Sequence, residues 1–353
     1  MAERVLMKGN EAVAEAAIRA GCRHFFGYPI TPQTEVSAYM SKRMPKIGGT
    51  FLQAESEIAA INMVLGAAAC GVRAMTSSSS PGISLKSEGI SYIAGSDLPC
   101  VILNIQRGGP GLGGIQPAQS DYNQATKGLG HGDFHVLVYA PSTVQEMVST
   151  VVKAFDMADK YRMPAMILGD GLLGQMMEPV EFPELDAAPA EKSWATNGTR
   201  GKRARNVVNS LYLQADKLED KILERYERYK IVEKELPEAE SYLTGDAEII
   251  LVAYGASARI ARSAVEAARA QGIKAGIIRP ITLWPFPGEI IRQSAKNAKQ
   301  LLVVEMSMGQ MVNDVKLAVE CKTPVAFFGR TGGVIPTPAE VLAQIKAYAG
   351  GAK

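Results

Sequence analysis

From residue 8 to about residue 170, short apolar runs alternate with segments of helical period. This alternation is typical of the strand–helix–strand units that build a parallel sheet. It predicts, among others, strands at residues 24–27, 50–53 and 100–105, and helices that begin at Thr34 and Glu57. A second alternation begins at Ala247. The chain is therefore expected to have an α/β fold with two parallel-sheet domains.

The 353 residues of the chain exceed what one hydrophobic core usually serves. The alternation breaks after residue 177, where several prolines precede a basic stretch and a charged helix at about residues 213–235. We therefore predict a first domain at residues 1–177, a linker with a helical excursion at residues 178–246, and a second domain at residues 247–353.

The charge balance excludes several classes of protein. There are 38 basic and 36 acidic residues, a net charge of +2, whereas a nucleic-acid coat or a membrane-surface protein usually needs a strong basic excess. No apolar run is long enough to span a membrane, and the first residues do not resemble a signal peptide. We expect a cytoplasmic protein that binds neither nucleic acid nor membrane.

The cysteines give no sign of a metal centre. Cys22, Cys70, Cys100 and Cys321 are widely spaced in apolar stretches, so buried, reduced thiols are expected. Because the chain also has only 3 histidines, we expect no iron–sulfur cluster, structural zinc or histidine-bound metal on this chain.

Glu57 begins a helix that is otherwise small and apolar. No residue between Glu57 and Arg73 is ionisable at neutral pH except Cys70, so the helix is predicted to be buried on most sides, with Glu57 entering an interior. A carboxylate in a first turn is stabilised by the helix dipole by up to about 1 kcal/mol. Buried carboxylates are costly unless something uses them. At this point the sequence is consistent both with a helix-capping role and with a functional role for Glu57.

Ligands of open α/β sheets bind beyond the carboxyl ends of the strands, so the loops after strands are candidate sites. Three such loops stand out, at residues 28–32, 53–57 and 107–118. The first has two prolines that fix a turn around Thr31, and the last is rich in glycine and begins with Arg107, which can bind a carboxylate or phosphate. The alternatives are the start of a helix for the first loop and a mobile loop with a solvated arginine for the last.

Four segments together carry a resemblance to a known family: residues 28–32, 53–60, 76–85 and 107–113. In this order they resemble the alpha subunit of a thiamine-diphosphate-dependent 2-oxoacid:ferredoxin oxidoreductase. Residues 113–117 and 175–179 are similar to the 2-oxoisovalerate, or branched-chain, type. The resemblance implies an N-terminal pyrimidine-binding domain and a transketolase-C-terminal-like domain.

The resemblance also implies roles for individual residues. Glu57, and not Glu55, matches the catalytic glutamate that hydrogen-bonds N1′ of the cofactor's pyrimidine and so activates it. Thr31 and Arg107 match residues near the substrate carboxylate. Tyr28, Pro29, Ile30 and Thr31 match the loop that contacts the cofactor.

Partner subunits follow from the same resemblance. The diphosphate and Mg²⁺ are expected on a beta subunit and 4Fe–4S clusters on partner subunits, with gamma and ferredoxin-like delta subunits among the expected partners. Ferredoxin is expected to accept the electrons and coenzyme A the acyl group. Residues 169–171, followed by Asn197, imitate a diphosphate and metal signature. We reject this signature because the stretch between them shows no helix pattern. No metal is therefore expected on this chain.

The expected reaction is the oxidative decarboxylation of a 2-oxoacid to its acyl-CoA. No Lys or Arg lies between Arg107 and Lys127, which favours an uncharged side group such as that of 2-oxoisovalerate. 2-Oxoglutarate and pyruvate are the alternative substrates, and a non-catalytic structural subunit is the alternative of another class. A nicotinamide dehydrogenase is disfavoured because no Gly-x-Gly-x-x-Gly follows the first strand. The glycine-rich residues 329–333 fit either a coenzyme A phosphate or a plain turn.

Overall fold

The computed structural model describes residues 4–184 and 191–350, in which strands and helices alternate along most of the chain. The strands are β1 Val5–Lys8, β2 His24–Gly27, β3 Thr50–Gln53, β4 Ala74–Ser78, β5 Cys100–Gln106, β6 Leu137–Tyr139, β7 Pro164–Asp170, β8 Met177–Val180, β9 Ala239–Tyr242, β10 Ile249–Val252, β11 Ala275–Pro280, β12 Thr282–Trp284, β13 Gln300–Glu305 and β14 Val325–Gly329. The helices are α1 Gly9–Arg19, α2 Thr34–Arg43, α3 Glu57–Ala69, α4 Ser80–Gly95, α5 Tyr122–Thr126, α6 Val144–Tyr161, α7 Gly171–Gln175, α8 Ala215–Glu235, α9 Gly255–Arg269, α10 Gly288–Ala295, α11 Met311–Ala318 and α12 Pro338–Ala349, with a 3₁₀ turn at Met44–Ile47.

Two large sheets organise the described residues. The first sheet has the strand order β12-β6-β7-β5-β4-β2-β3 and is parallel except for β12. The second sheet has the order β14-β13-β10-β11-β9 and is parallel except for β9. β1 and β8 form a small antiparallel pair. The predicted fold class is confirmed.

Helices cover both faces of the first sheet. α3 and α4 pack against each other over β2, β4 and β5, while α6 packs on β5 and β7 with α1 against it. Because right-handed crossovers fix the side on which each helix lies, this arrangement follows from the strand order. Strands covered on both faces become continuous apolar runs, and β5 is buried along its whole length.

The second α/β unit returns a strand to the first sheet. β12 pairs with β6, and Ala140 N donates to Ile281 O at 2.8 Å. The sequence analysis missed this strand because three residues carry no recognisable alternation. It also missed β9, which lies in the segment predicted as linker and pairs with β11, and the helix α11. The division into residues 1–177, 178–246 and 247–353 stays a prediction.

Two expectations about burial are wrong in part. α3 is buried along one face only, since Asn62 and Gly66 are exposed and Ile58 is 50 % exposed. A run without charges does not distinguish a helix buried in its own chain from one with a bare apolar face. Of the cysteines, Cys22 and Cys100 are buried thiols, but Cys70 and Cys321 are exposed because each follows the last turn of a helix. Within the described ranges, no helix combines the length and apolarity required to cross a membrane.

Candidate active site

The candidate loops meet at the carboxyl edge of the first sheet. β2 and β4 are neighbours there, yet the chain leaves β2 toward α2 and β4 toward α4, on opposite faces of the sheet. Such a divergence opens a crevice, the usual ligand site of an open α/β sheet. Across it, Ser77 Oγ donates to Gln33 Oε1 at 2.5 Å. The crevice is therefore framed by the loops after β2, β3, β4 and β5.

Glu57 is the first residue of α3 and 6 % exposed, so the predicted burial of its side chain is confirmed. The capping role belongs to its neighbour, because Ser56 Oγ accepts from Ala59 N at 3.2 Å. No described residue donates a hydrogen bond to the Glu57 carboxylate. A nearly buried carboxylate without a hydrogen bond is costly, and its oxygens keep their full capacity to accept one.

A glycine makes room for that carboxylate. A Cβ at Gly82, in the first turn of α4, would lie 2.8 Å from Glu57 Oε1 and 2.1 Å from Ser78 Oγ. Ser78 Oγ and Ser79 Oγ, at the end of β4, are buried without a hydrogen-bond partner among the described residues. The wall around Glu57 thus holds several polar groups that are not satisfied by the fold itself.

Lys86 lies in the same wall and was missed by the sequence analysis. It is fully buried, and its Nζ donates to Thr76 Oγ1 at 3.0 Å. Burial lowers the pKa of Lys86 to about 8, and the charge of Glu57 opposes this effect. A signal for it existed, since Lys86 follows Gly82 by four residues on a helical face that is otherwise small and apolar.

Arg107 is buried and held by main-chain carbonyls. Nη1 donates to Thr31 O at 3.0 Å and Nη2 to Leu112 O at 3.2 Å, while Nε is buried without a partner among the described residues. Arg107 is 7 % exposed, so a solvated arginine is the wrong interpretation. The structure brings Arg107 and the loop of Thr31 together, because β5 and β2 lie on either side of β4 and both loops leave the carboxyl edge of the same sheet.

The loop of residues 28–32 forms the rim of the crevice. Tyr28, Pro29 and Thr31 are exposed and Ile30 is partly buried. The loop also leads into α2, which begins at Thr34. It therefore precedes a helix and borders the crevice at the same time.

Ser80, in the first turn of α4, connects Arg107 with Asp121 through hydrogen bonds. Ser80 Oγ accepts from Arg107 N at 3.0 Å and donates to Asp121 Oδ2 at 2.6 Å, and Asn104 Nδ2 donates to the same oxygen at 2.9 Å. Burial raises the pKa of Asp121, against the effect of these two hydrogen bonds. Ser80 and Asp121 are not predicted from the sequence, because no local pattern shows that they meet.

Two cavities adjoin this edge. One, of about 770 Å³, lies between the two α/β units and is lined by Ser80, Gly109, Asp121, Met308 and Thr331 among others. The other, of about 540 Å³, is mostly apolar and is lined by Thr31, Pro32, Ile115, Gln116, Pro117, Gly171, Leu172, Gln175, Met176 and Ile335. The glycine-rich residues 329–333 reach this region, since a Cβ at Gly333 would lie 2.4 Å from Gln116 Cβ.

Asp170 has a structural role. Its Oδ1 accepts from Leu172 N at 2.9 Å and Leu173 N at 3.1 Å, at the start of α7. Burial raises the pKa of Asp170 to about 6. The stretch before Asn197, in which no helix pattern was found, does contain the short helix α7, because five residues are too few to show a helical period. The carboxylate is turned onto the backbone of that helix.

Family models match both parts of the chain. Residues 15–241 match the thiamine diphosphate-binding model of pyruvate flavodoxin/ferredoxin oxidoreductases. The chain belongs to the 2-oxoacid:ferredoxin oxidoreductase family. Residues 247–341 match core domain II of pyruvate:ferredoxin oxidoreductase. The family predicted from the four sequence segments is confirmed.

Among relatives in this family, a ketoisovalerate oxidoreductase subunit VorB from Methanothermobacter thermautotrophicus is 50 % identical over 98 % of both chains. A 2-oxoglutarate synthase subunit KorA from the same organism is 36 % identical and covers 98 % of this chain and 99 % of its own. The solved 2-oxoglutarate:ferredoxin oxidoreductase from Magnetococcus marinus, with 2-oxoglutarate, coenzyme A and succinyl-CoA bound, matches with a TM-score of 0.86 and 27 % identity. That match covers 98 % of this chain and 65 % of the other.

The residues of the crevice fit the pyrimidine half of thiamine diphosphate, the cofactor of this family. A pyrimidine ring presents a nitrogen that shares a proton with a carboxylate, and Glu57 is a carboxylate that lacks such a partner. Ser78 adds an unsatisfied hydroxyl beside it, and Ser79, the next residue along the chain, has a second. The fit therefore rests on polar groups that this fold leaves unpaired.

Proposed function

We propose that this chain activates thiamine diphosphate through Glu57 in an enzyme that oxidatively decarboxylates a branched-chain 2-oxoacid, such as 2-oxoisovalerate, to its acyl-CoA and CO2. The single observation that carries the proposal is the Glu57 carboxylate, 6 % exposed and without a hydrogen bond from any described residue. Residues 1–177 would form the pyrimidine-binding domain and residues 247–353 the transketolase-C-terminal-like domain.

Glu57 would act by holding one proton. When bound, thiamine diphosphate supplies an acidic thiazolium carbon, the centre at which a 2-oxoacid is decarboxylated and oxidised. A Glu57 oxygen would accept the hydrogen bond from N1′ of the pyrimidine and stabilise its protonated form. Burial strengthens that hydrogen bond, because little water competes for it. Residues 28–31 of the rim would contact the ring.

Arg107 would bind the substrate carboxylate. The carbonyls of Thr31 and Leu112 use one N–H of each Nη, and Nε has no described partner. A carboxylate could accept from Nε and one Nη in the planar geometry that a guanidinium favours. Thr31, whose main chain already contacts this arginine, would border the same carboxylate.

Three observations support an uncharged substrate side group. No lysine or arginine lines either cavity at the carboxyl edge, and one of the two is mostly apolar and borders Thr31. Asp121 lines the other, and a carboxyl group offers no positive charge to a second carboxylate of the substrate. The relative with 50 % identity is named a ketoisovalerate oxidoreductase subunit, compared with 36 % for the 2-oxoglutarate synthase subunit.

Partner subunits complete the proposal. The relatives VorB and KorA are both named as subunits. A beta subunit would bind the diphosphate and Mg²⁺, and 4Fe–4S clusters on partner subunits would pass electrons to ferredoxin while coenzyme A takes the acyl group. Because Asp170 is turned onto the backbone of α7, the metal would be held by the partner.

The test is Glu57→Gln in the reconstituted complex, followed as 2-oxoacid-dependent dye reduction. We expect turnover to fall on the order of 100-fold or more with assembly intact, as for the loss of a positioned proton-transfer group. Glu55→Gln is the matched control, since Glu55 is an exposed acid two residues away and should leave turnover unchanged. Near-normal turnover of Glu57→Gln would refute the proposal. Assays with 2-oxoisovalerate, 2-oxoglutarate and pyruvate decide the substrate.

A further inference from the structure

Lys86 is a buried cation that no step described so far uses. Lysines are almost never fully buried unless they are paired. Yet no described carboxylate lies within 4.0 Å of Lys86 Nζ, and its one described hydrogen bond goes to the neutral hydroxyl of Thr76, at 3.0 Å. Burying an ammonium in this way costs free energy. We therefore expect an oppositely charged group near Lys86 Nζ, at more than salt-bridge distance.

The packing of α3 on α4 shows where that charge is. Gly82 lies under the carboxylate of Glu57, and a Cβ at Gly89 would lie 2.4 Å from Ile61 Cγ2. Glu57 and Ile61 are four residues apart on α3, and Gly82, Lys86 and Gly89 lie along one face of α4. The two glycines let the helices approach, and Lys86 lies between them in the seam.

Glu57 is an acid at this seam, because its Oε1 lies 2.8 Å from the place of a Cβ at Gly82, four residues before Lys86 on the same face of α4. The charge of Glu57 raises the pKa of Lys86, against the larger effect of burial. Other titratable groups near α4 are bonded elsewhere: Asp121 to Ser80 and Asn104, His131 to Ser91, and Glu88 to Tyr92. The strand β4, which contributes Thr76, has no ionisable side chain.

We propose that Lys86 is a positioning residue whose buried ammonium keeps Glu57 in its carboxylate form, so that the proton shared with the cofactor lies on the pyrimidine N1′ and not on Glu57. This rests on the proposed role of Glu57. Lys86 is fully buried and Glu57 is 6 % exposed, so little water screens one charge from the other. A charge in that place favours the anion on Glu57 and moves the proton from the Glu57 oxygen to N1′. No other reactant is needed.

Lys86→Met in the reconstituted complex tests this, because methionine keeps most of the side-chain volume and removes the charge. We expect dye reduction to fall about tenfold at pH 7. The ratio of wild-type to variant rate should shrink toward one as the pH rises through about 8 and beyond, where Lys86 loses its proton. Lys46→Met, at an exposed lysine, is the control and should not change the pH profile.

A second readout does not depend on turnover. Near-ultraviolet circular dichroism of the complex loaded with thiamine diphosphate, without substrate, reports the protonation state of the pyrimidine. We expect Lys86→Met to lower the N1′-protonated fraction at pH 7 and to remove its decline at alkaline pH. Lys86→Gln should behave in the same way, which keeps the test valid if the methionine variant fails to assemble.

A constant rate ratio across pH, or an unchanged circular-dichroism signal, would show that Lys86 only fills space and would overturn the inference. Glu57→Gln in the same assay separates the two proposals. Loss of activity in Glu57→Gln with a pH-independent effect of Lys86→Met refutes the role of Lys86 alone. Normal activity in Glu57→Gln refutes the proposed function itself.

Discussion

Two buried glutamates at the carboxyl edges of the two sheets differ in the hydrogen bonds that their carboxylates accept. Glu305, at the end of β13, is fully buried and accepts hydrogen bonds from Gln310 N, Met311 N, Val312 N and Ser307 Oγ at 3.0–3.2 Å. Glu57, at the start of α3, is 6 % exposed and accepts none from the described residues. A carboxylate saturated by its own fold stabilises that fold. One left unsaturated is available to a ligand.

The same contrast applies to cations. Arg279 is buried but paired with two carboxylates, Glu146 and Glu240. Arg107 is equally buried and contacts two carbonyls, with no described acid within salt-bridge distance. At its carboxyl edge, the first sheet thus has a buried carboxylate, Glu57, and a buried guanidinium, Arg107. Neither has an oppositely charged partner within salt-bridge distance among the described residues. Such groups cost stability, and they are the groups a cofactor and a carboxylate substrate would satisfy.

After Glu57→Gln, the largest effect expected from this contrast is at Arg107. Arg107→Lys keeps the charge but loses the planar fork, so we expect kcat/KM for the 2-oxoacid to fall on the order of 10- to 100-fold, the equivalent of one charged hydrogen bond. Steady-state kinetics of the reconstituted complex measure it. Arg262→Lys, at a partly exposed arginine of α9, serves as the control. Unchanged kinetics of Arg107→Lys would remove Arg107 from the site.

The next effect is on stability. Glu305→Gln removes the anion that three backbone amides share, so the free energy of unfolding should fall by about 2 kcal/mol. Glu57→Gln should change it by much less, because no described donor loses its partner. Urea unfolding of the two variants without cofactor gives both values. Equal losses in the two variants would contradict the distinction between a saturated and an unsaturated carboxylate.

A smaller effect is expected at the wall of the crevice. Gly82→Ala places a Cβ against Glu57 Oε1 and Ser78 Oγ, and one of them must move. We expect turnover to fall about tenfold, since overpacking of this kind costs about 1–3 kcal/mol. Gly66→Ala in α3 meets nothing within 4 Å and should leave turnover unchanged. A fully active Gly82→Ala would mean that the observed place of the Glu57 carboxylate is unimportant.

Local sequence patterns predict part of the fold and part of the candidate site. The alternation of strands and helices, the loops after strands, and Glu57, Thr31 and Arg107 as candidates all come from residues that are close in sequence. The pairing of β12 with β6 joins residues about 140 apart, as in Thr282 with Tyr139, and three residues give no periodic signal.

The partners of the site residues are equally nonlocal. Ser80 meets Asp121 at a separation of 41 residues, and the charge of Glu57 acts on Lys86 from another helix. The exposed face of α3 was missed for another reason: small apolar residues look alike whether their own chain covers them or not. Whether a buried glutamate accepts hydrogen bonds depends on the folded backbone around it, so the difference between Glu305 and Glu57 leaves no pattern in the sequence.

The most direct test of the central claim is exchange of the thiazolium C2 proton of bound thiamine diphosphate for deuterium, measured by quenched-flow NMR in the reconstituted complex without substrate. This step precedes substrate and electron transfer, so it isolates activation of the cofactor. We expect Glu57→Gln to slow the exchange on the order of 100-fold and Glu55→Gln to leave it unchanged. Exchange at the wild-type rate in Glu57→Gln would show that Glu57 does not activate the cofactor.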